Sequence, residues 1–267
     1  MTGETVNLRM TERRKQNDMA RQTGLIKLKG TLDNVNFYKT KDGNLARMKT
    51  SVDAKRIAND PAFERTRENG AEFGSSASSG KLLRDSIRTM IQNASDSRMV
   101  SRLTKIMTQI KNLDPTSARG QRNVGVGIAQ PGAVELLKGF NFNKEAILGS
   151  ILFNPFAVNI ATGEITLSNL VPINDISSTP GATHITLRGA WVKMDFATGE
   201  TDVQQTNAVN LPLDATSTTV VLTPTAPASG TGNDLFLLMI EFFQEVNGNQ
   251  YVLKNGAYNA LSIVEIQ

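Results

Sequence analysis

The chain contains one histidine, His184, and no cysteine. Thiol nucleophiles, disulfides and thiolate zinc sites are therefore excluded, and a His-rich metal site lacks ligands. A Ser-His-Asp relay would have to use His184, and no G-x-S-x-G turn accompanies it. His184 precedes Ile185 and Leu187 in an alternating run, which predicts a strand with the imidazole on the face opposite these apolar side chains. A solvent-facing histidine is expected. Gly125-Val126-Gly127 has neither the third glycine nor the strand–turn–helix setting of a dinucleotide loop, and no Walker A motif occurs. Among the carboxylates, Glu64, Glu68 and Glu72 recur every four residues, interleaved with Arg65 and Arg67. That spacing predicts an acidic stripe on a solvated helix face, with local ion pairs of about 0.3 kcal/mol each. Hydrolysis by paired carboxylates needs partners across a cleft, and the spacing supplies none. No catalytic residue, cofactor or metal is expected, and the chain reads as a non-enzyme.

The basic residues form the other candidate chemistry. Arg13, Arg14 and Lys15 cluster near the start, and Arg84, Arg88, Arg102 and Lys105 lie on predicted amphipathic helices. These seven are the candidate interface residues. Lys27, Lys29, Lys39, Lys41, Arg47 and Lys49 decorate a predicted hairpin. Such residues suit phosphate contacts. No nucleic-acid motif is present, however, and Phe37 and Tyr38 are the few aromatics placed for stacking.

The elements that would position these groups are legible as patterns. Residues 1–23 read as a polar, basic arm, and 24–115 as a hairpin and helical domain. Within it, Val35 and Phe37 alternate up to Lys39, Lys41-Asp42-Gly43 makes a turn, and Leu45 and Met48 follow in a second strand. Asp60-Pro61 is a helix start and Gly74 a helix stop. Residues 75–80 read as a flexible joint. Helices are predicted over 81–94 and 97–113, the latter with Met99, Val100, Leu103, Ile106, Met107 and Ile110 on one face. Residues 116–132 read as a Gly- and Arg-bearing linker, with a short helix near 133–137. From there to 267 the pattern is β throughout. Ala-Thr-Gly-Glu occurs at 161–164 and again at 197–200, each between alternating runs, and a long hairpin turns at Asn247-Gly248-Asn249. Seven or eight such strands predict an antiparallel immunoglobulin-like β-sandwich, so the fold class is α+β.

Over 267 residues, 39% are apolar and 20% charged, a globular balance. The net charge of +4 conceals an asymmetry. Residues 1–130 hold 24 basic against 13 acidic side chains (net +11), and 131–267 hold 5 against 12 (net −7). No run nears the ~20 apolar residues of a membrane span, and the first twenty residues lack the apolar core of a signal peptide. Synthesis in the cytoplasm is expected; the final compartment is left open.

The segments Phe37-Tyr38-Lys39-Thr40-Lys41-Asp42-Gly43, Asn59-Asp60-Pro61-Ala62-Phe63-Glu64-Arg65-Thr66-Arg67-Glu68-Asn69 and Glu245-Val246-Asn247-Gly248-Asn249-Gln250-Tyr251 resemble a Bacteroidota protein family. Its members carry a short N-terminal hairpin, a helix and then a β-sandwich. The resemblance implies that order of elements, and no activity or functional residue. Opposed charges without reactive groups lead to the functional expectation of a self-assembling scaffold: a filament, tube or coat subunit whose partner is itself. A nucleic-acid-binding accessory protein and a surface adhesin or glycan-binding module are the alternatives.

Overall fold

The computed structural model describes residues 19–49, 52–253 and 257–267. The chain divides into two compact units, Met1–Phe63 and Glu64–Gln267.

The first unit is a four-stranded antiparallel sheet with spatial order β1-β4-β3-β2. Its strands are β1 (Met19–Arg21), β2 (Gly30–Leu32), β3 (Val35–Thr40) and β4 (Gly43–Met48). The expected hairpin is β3–β4, closed by the Thr40↔Gly43 pair. Gly43 has φ +121° there, a conformation that favours glycine. Part of the expected arm belongs to this sheet, because Met19–Arg21 pairs with Leu45–Arg47. The Gln22 side-chain amide donates to Leu45 O at 3.1 Å. A short helix, α1 (Ala54–Asn59), follows. Asp60 then receives the Ala62 N–H at 2.9 Å and opens a 3-10 turn over Pro61–Phe63, the start signal read from Asp60-Pro61.

The second unit begins with α2 (Glu64–Ser86), one helix where a break at Gly74 and a joint over 75–80 were expected. The small residues serve close packing instead. Ser76 and Gly80 are buried, and a Cβ on Gly80 would sit 3.6 Å from Leu103 and Met107. The Ser76 and Ser79 hydroxyls donate back to the carbonyls of Glu72 and Ser75, keeping these residues helix-compatible. The helix predicted over 81–94 is the end of α2 plus α3 (Arg88–Asn93), separated at Ile87 (φ −111°, ψ 30°). Then comes α4 (Met99–Lys111), whose Met99, Leu103, Met107 and Ile110 are buried as the i, i+3/i+4 spacing requires, with Ile106 half-buried beside them. Val100, expected on the same face, is 46% exposed, since it stands about 100° around the helix from Met99.

The expected linker over 116–132 is packed into the core. Its helix α5 (Val124–Gly127) buries Val124 completely. A Cβ on Gly127 would stand 2.2 Å from Ile110 O, and one on Gly125 2.8 Å from Ala197 Cβ. These glycines permit backbone approach rather than flexibility. No unit boundary falls there, and the helices share one core with the sheet.

That sheet centres on β7 (His184–Met194) and β11 (Asn233–Val246), paired antiparallel from Asn233↔Met194 to Phe243↔His184. Beyond β11 lie β12 (Asn249–Val252) and β13 (Ala260–Ile266); beyond β7 lie β8 (Thr201–Gln205) and β9 (Val209–Pro212). A second sheet runs β10-β6-β5, from β5 (Phe156–Val158), β6 (Ile165–Leu170) and β10 (Thr218–Leu222). A short helix, α6 (Leu148–Ile151), leads into β5, and another, α7 (Pro172–Asp175), connects β6 to β7. Leu235, Leu237 and Met239 join the helices in one apolar cluster, while Leu238, Ile240 and Phe242 join the three-stranded sheet in another. Burial on both faces explains why Leu235–Phe243 is nearly continuous in apolar residues instead of alternating.

The two Ala-Thr-Gly-Glu turns are built alike. In each, a side chain two residues upstream of the alanine, Asn159 or Asp195, accepts the Ala161 or Ala197 N–H, and the glycine N–H closes on the same residue's carbonyl. Gly163 and Gly199 take φ +73° and +82°.

Candidate interaction surfaces

The first unit holds no buried residue among those described. Register places Leu32, Val35, Phe37, Ala46 and Met48 on one face, with Ala20 beside Ala46. Leu32 is 66% exposed and Met48 63%. The opposite face carries Arg21, Tyr38, Leu45 and Arg47, with the Arg47 guanidinium 5.4 Å from the Tyr38 ring centre. Alternation in β3 revealed Val35 and Phe37. The contributions of Leu32, Ala20 and Ala46 depend on strand order, which no local pattern carries.

Of the seven expected interface residues, Arg13, Arg14 and Lys15 lie outside the described residues. Arg84 is half-buried and donates Nε to Gly80 O within its own helix, and Arg88 is exposed on α3. Arg102 and Lys105 alone come together, in a shallow groove of about 410 Å³ floored by Ile106, Leu136, Phe140 and Ile147 and rimmed by Lys138 and Lys144. Arg102 is a fastener more than a contact. Its guanidinium donates to Asn141 O (2.7 Å) and Phe142 O (3.1 Å), pairs with Asp96, and lies 5.1 Å from the Phe140 ring centre. Burial alone would raise the Asp96 carboxyl, but hydrogen bonds from the Arg98 and Lys144 N–H groups and from Arg102 hold it below its ordinary value. Lys138 pairs with Glu265 at 2.7 Å and Lys144 with Glu145 at 2.7 Å.

The expected acidic stripe is corrected at Glu72, whose side chain is 3% exposed. Arg122 grips it with Nε on Oε1 and Nη2 on Oε2, both at 2.8 Å; Gly120 N–H donates to Oε1 at 2.8 Å, and buried Lys111 pairs with Oε2. The Arg122 fork, with Lys111 and the Gly120 N–H, outweighs burial and lowers the Glu72 carboxyl to about 2. Next to it, Asp114 accepts the N–H groups of Thr116, Ser117 and Asn123 at 3.0–3.1 Å. Burial opposes its ionisation, yet these donors hold it well below the carboxylate range. Together the two carboxylates pin residues 114–123 onto α2 and α4. Lys111 is thus another basic residue turned inward.

His184 is half-buried, not fully solvent-facing, with Nε2 3.5 Å from Glu245 Oε2 and Nδ1 3.0 Å from Thr183 Oγ1. The Thr183 hydroxyl also accepts the Glu245 N–H at 2.8 Å, so these groups tie the ends of β7 and β11. A polar cleft of about 520 Å³ beside β8 is lined by Lys193, Glu200, Asp202, Ser229 and Thr231. Asp202 there spends its carboxylate on the Ser229 N–H and hydroxyl and on Gln204, bonds that lower its pKa. Among the described residues no cluster of His, Asp or Glu could hold a metal ion, and no helix is long and apolar enough to cross a membrane.

Recounting charge by structural unit changes its distribution. Residues 1–63 hold 13 basic against 7 acidic side chains (net +6), and 64–267 hold 16 against 18 (net −2). Compared with family models, curated proteins and solved structures, the chain matches none.

Proposed function

We propose that this chain is a non-enzymatic structural subunit that assembles with copies of itself. The supporting observation is the four-stranded sheet of the first unit, which carries an apolar face yet has no buried residue among those described. A sheet whose apolar face packs on nothing leaves that face in water and gains little from burying it, and an apolar surface of this kind marks an interaction site. A head-to-tail contact that does not close on itself propagates into a fibre, which is the filament or tube form of the reading. In the same reading, the second unit is immunoglobulin-like only in having two antiparallel sheets facing each other across one apolar layer. The helices over the other face of its larger sheet have no counterpart in that scheme.

Light scattering coupled to size exclusion at low salt tests the reading. Mass should grow with protein concentration, and a monodisperse 29.0 kDa species at every concentration would refute it. One observation favours nucleic acid instead: Arg21, Tyr38 and Arg47 share the other face of the sheet. Affinity for single-stranded DNA that drops steeply with salt is its signature, and absence of binding at ~50 mM salt removes it.

A further inference from the structure

The assembly reading leaves open what covers the apolar face of the first unit, and the second unit carries a complementary patch. Phe153 is 61% exposed, Ile173 58% and Phe156 37%. They are neighbours by hydrogen bonding. Phe153 N–H donates to Asp175 O, two residues beyond Ile173 at the end of α7, and Asn154 bridges Asp175 and Ser168. Phe156 pairs with Leu167, next to Ser168, and shares the inward face of that buried leucine, so it reaches the surface only at the edge of the patch. The patch is acidic as well as apolar. Asp175 lies within it, half-buried, its carboxylate accepting the Val171 N–H at 2.7 Å and the Asn154 amide at 3.4 Å, and Asp214 is brought beside Ile173 by its backbone carbonyl, which accepts the Ile173 N–H. No lysine or arginine occurs in residues 145–187 or 194–253, which supply β5, β6, β10 and α7.

We propose that the apolar face of the N-terminal sheet seats on this patch around Phe153 and Ile173, edged by Phe156, of a second copy of the chain. The proposal rests on the assembly reading. Leu32, Val35, Phe37 and Met48 provide the apolar half of the contact, and Lys39 extends the same row of β3 toward a rim. The donor unit is net +6 and the acceptor patch has no base to repel it. The groove around Lys105, by contrast, presents cations to a basic unit and is the wrong seat for it. Because donor and acceptor differ, the contact is heterologous: one molecule offers its sheet and receives another's.

Two double variants test the pairing. Leu32→Asp with Met48→Asp blocks the donor, and Phe153→Lys with Ile173→Lys blocks the acceptor; all four positions are exposed, so neither variant disturbs a core. Each variant alone should stay monomeric where the wild type associates. Mixed, they should form a pair of twice the 29.0 kDa chain mass and nothing larger, because one functional face of each kind survives. That pair also demonstrates that both variants fold. If the wild type is itself monomeric at all concentrations, the assembly reading falls. If the wild type assembles and either variant assembles equally well, or the mixture yields no pair, assembly stands and this assignment of surfaces is overturned.

Discussion

Glu72→Gln is the substitution whose consequence follows most directly from the geometry. The carboxylate is held by both nitrogens of the Arg122 fork, by Lys111 and by the Gly120 N–H. Its pKa falls from 4.5 to about 2. At about 1.36 kcal/mol per unit, a fall of that size is worth on the order of 3 kcal/mol. Arg122 is 32% exposed, so solvent screens part of the attraction, and about 2 kcal/mol is the expected loss at pH 7. The sign follows from linkage. A carboxylate whose pKa is lowered on folding stabilises the protein above about pH 4.5, and that contribution fades as pH falls toward 2. Urea unfolding followed by circular dichroism, on parent and variant at pH 7 and at stepwise lower pH, measures it. The gap should be widest at neutral pH and narrow below pH 4.5. A variant as stable as its parent at pH 7, or a gap indifferent to pH, would mean that the cluster is a bystander and that residues 114–123 are held by something else.

Further expectations concern the glycines and Asp114. Gly74→Ala has open space for its methyl group and lies in mid-helix, so it should stabilise the chain by about 0.5–1 kcal/mol; destabilisation would restore the joint that the sequence suggested. Gly163→Ala forces a left-handed residue (φ +73°) and puts a Cβ 2.4 Å from Trp191 Cε3. It should cost about 2 kcal/mol or more and shift the emission of Trp191, the sole tryptophan, whereas unchanged fluorescence and stability would contradict the packing. Asp114→Ala leaves the N–H groups of Thr116, Ser117 and Asn123 without their acceptor. It should lower stability by about 1–3 kcal/mol and speed tryptic cleavage at Arg119 relative to the parent; an unchanged rate of cleavage there counts against it.

Local patterns revealed whatever depends on local geometry. The β3–β4 turn, the Asp60-Pro61 start, the apolar stripe of α4 and both Ala-Thr-Gly-Glu turns were readable because a few neighbouring residues decide each. The misreadings share one cause. Gly74 to Gly80 resembles a joint, and Gly120 to Gly132 a linker, when glycine is judged by its backbone freedom alone. In the fold Gly80 admits Leu103 and Met107, and Gly127 admits the Ile110 carbonyl, which are contacts between segments distant in sequence. The spacing of Glu72 with Glu64 and Glu68 is that of a solvated face and gives no sign of its burial. Its partners Lys111 and Arg122 lie 39 and 50 residues away. The charge asymmetry shrank for a related reason: the sign changes along the chain near residue 130, while the units divide at Phe63.

With a charge difference this small between the units, association has to be driven by apolar area. The four strands of the first unit comprise 18 residues, and fixing their backbones costs on the order of 20 kcal/mol at ~1 kcal/mol each. At about 25 cal/mol per Å², offsetting that needs roughly 800 Å² of buried apolar surface, close to the apolar share of an interface of standard size with both partners counted. Ladder hydrogen bonds supply part of the difference, but no described side chain in the unit is buried. Amide exchange in β3 and β4 should therefore be fast in a dilute sample and slow once the chain has associated, while β7 and β11, buried on both faces, stay protected in each. The measurement is hydrogen–deuterium exchange by mass spectrometry at two protein concentrations spanning the association. Strong protection of residues 35–48 in the monomer would show that the sheet stands without a partner, and the physical reason for expecting assembly would be gone.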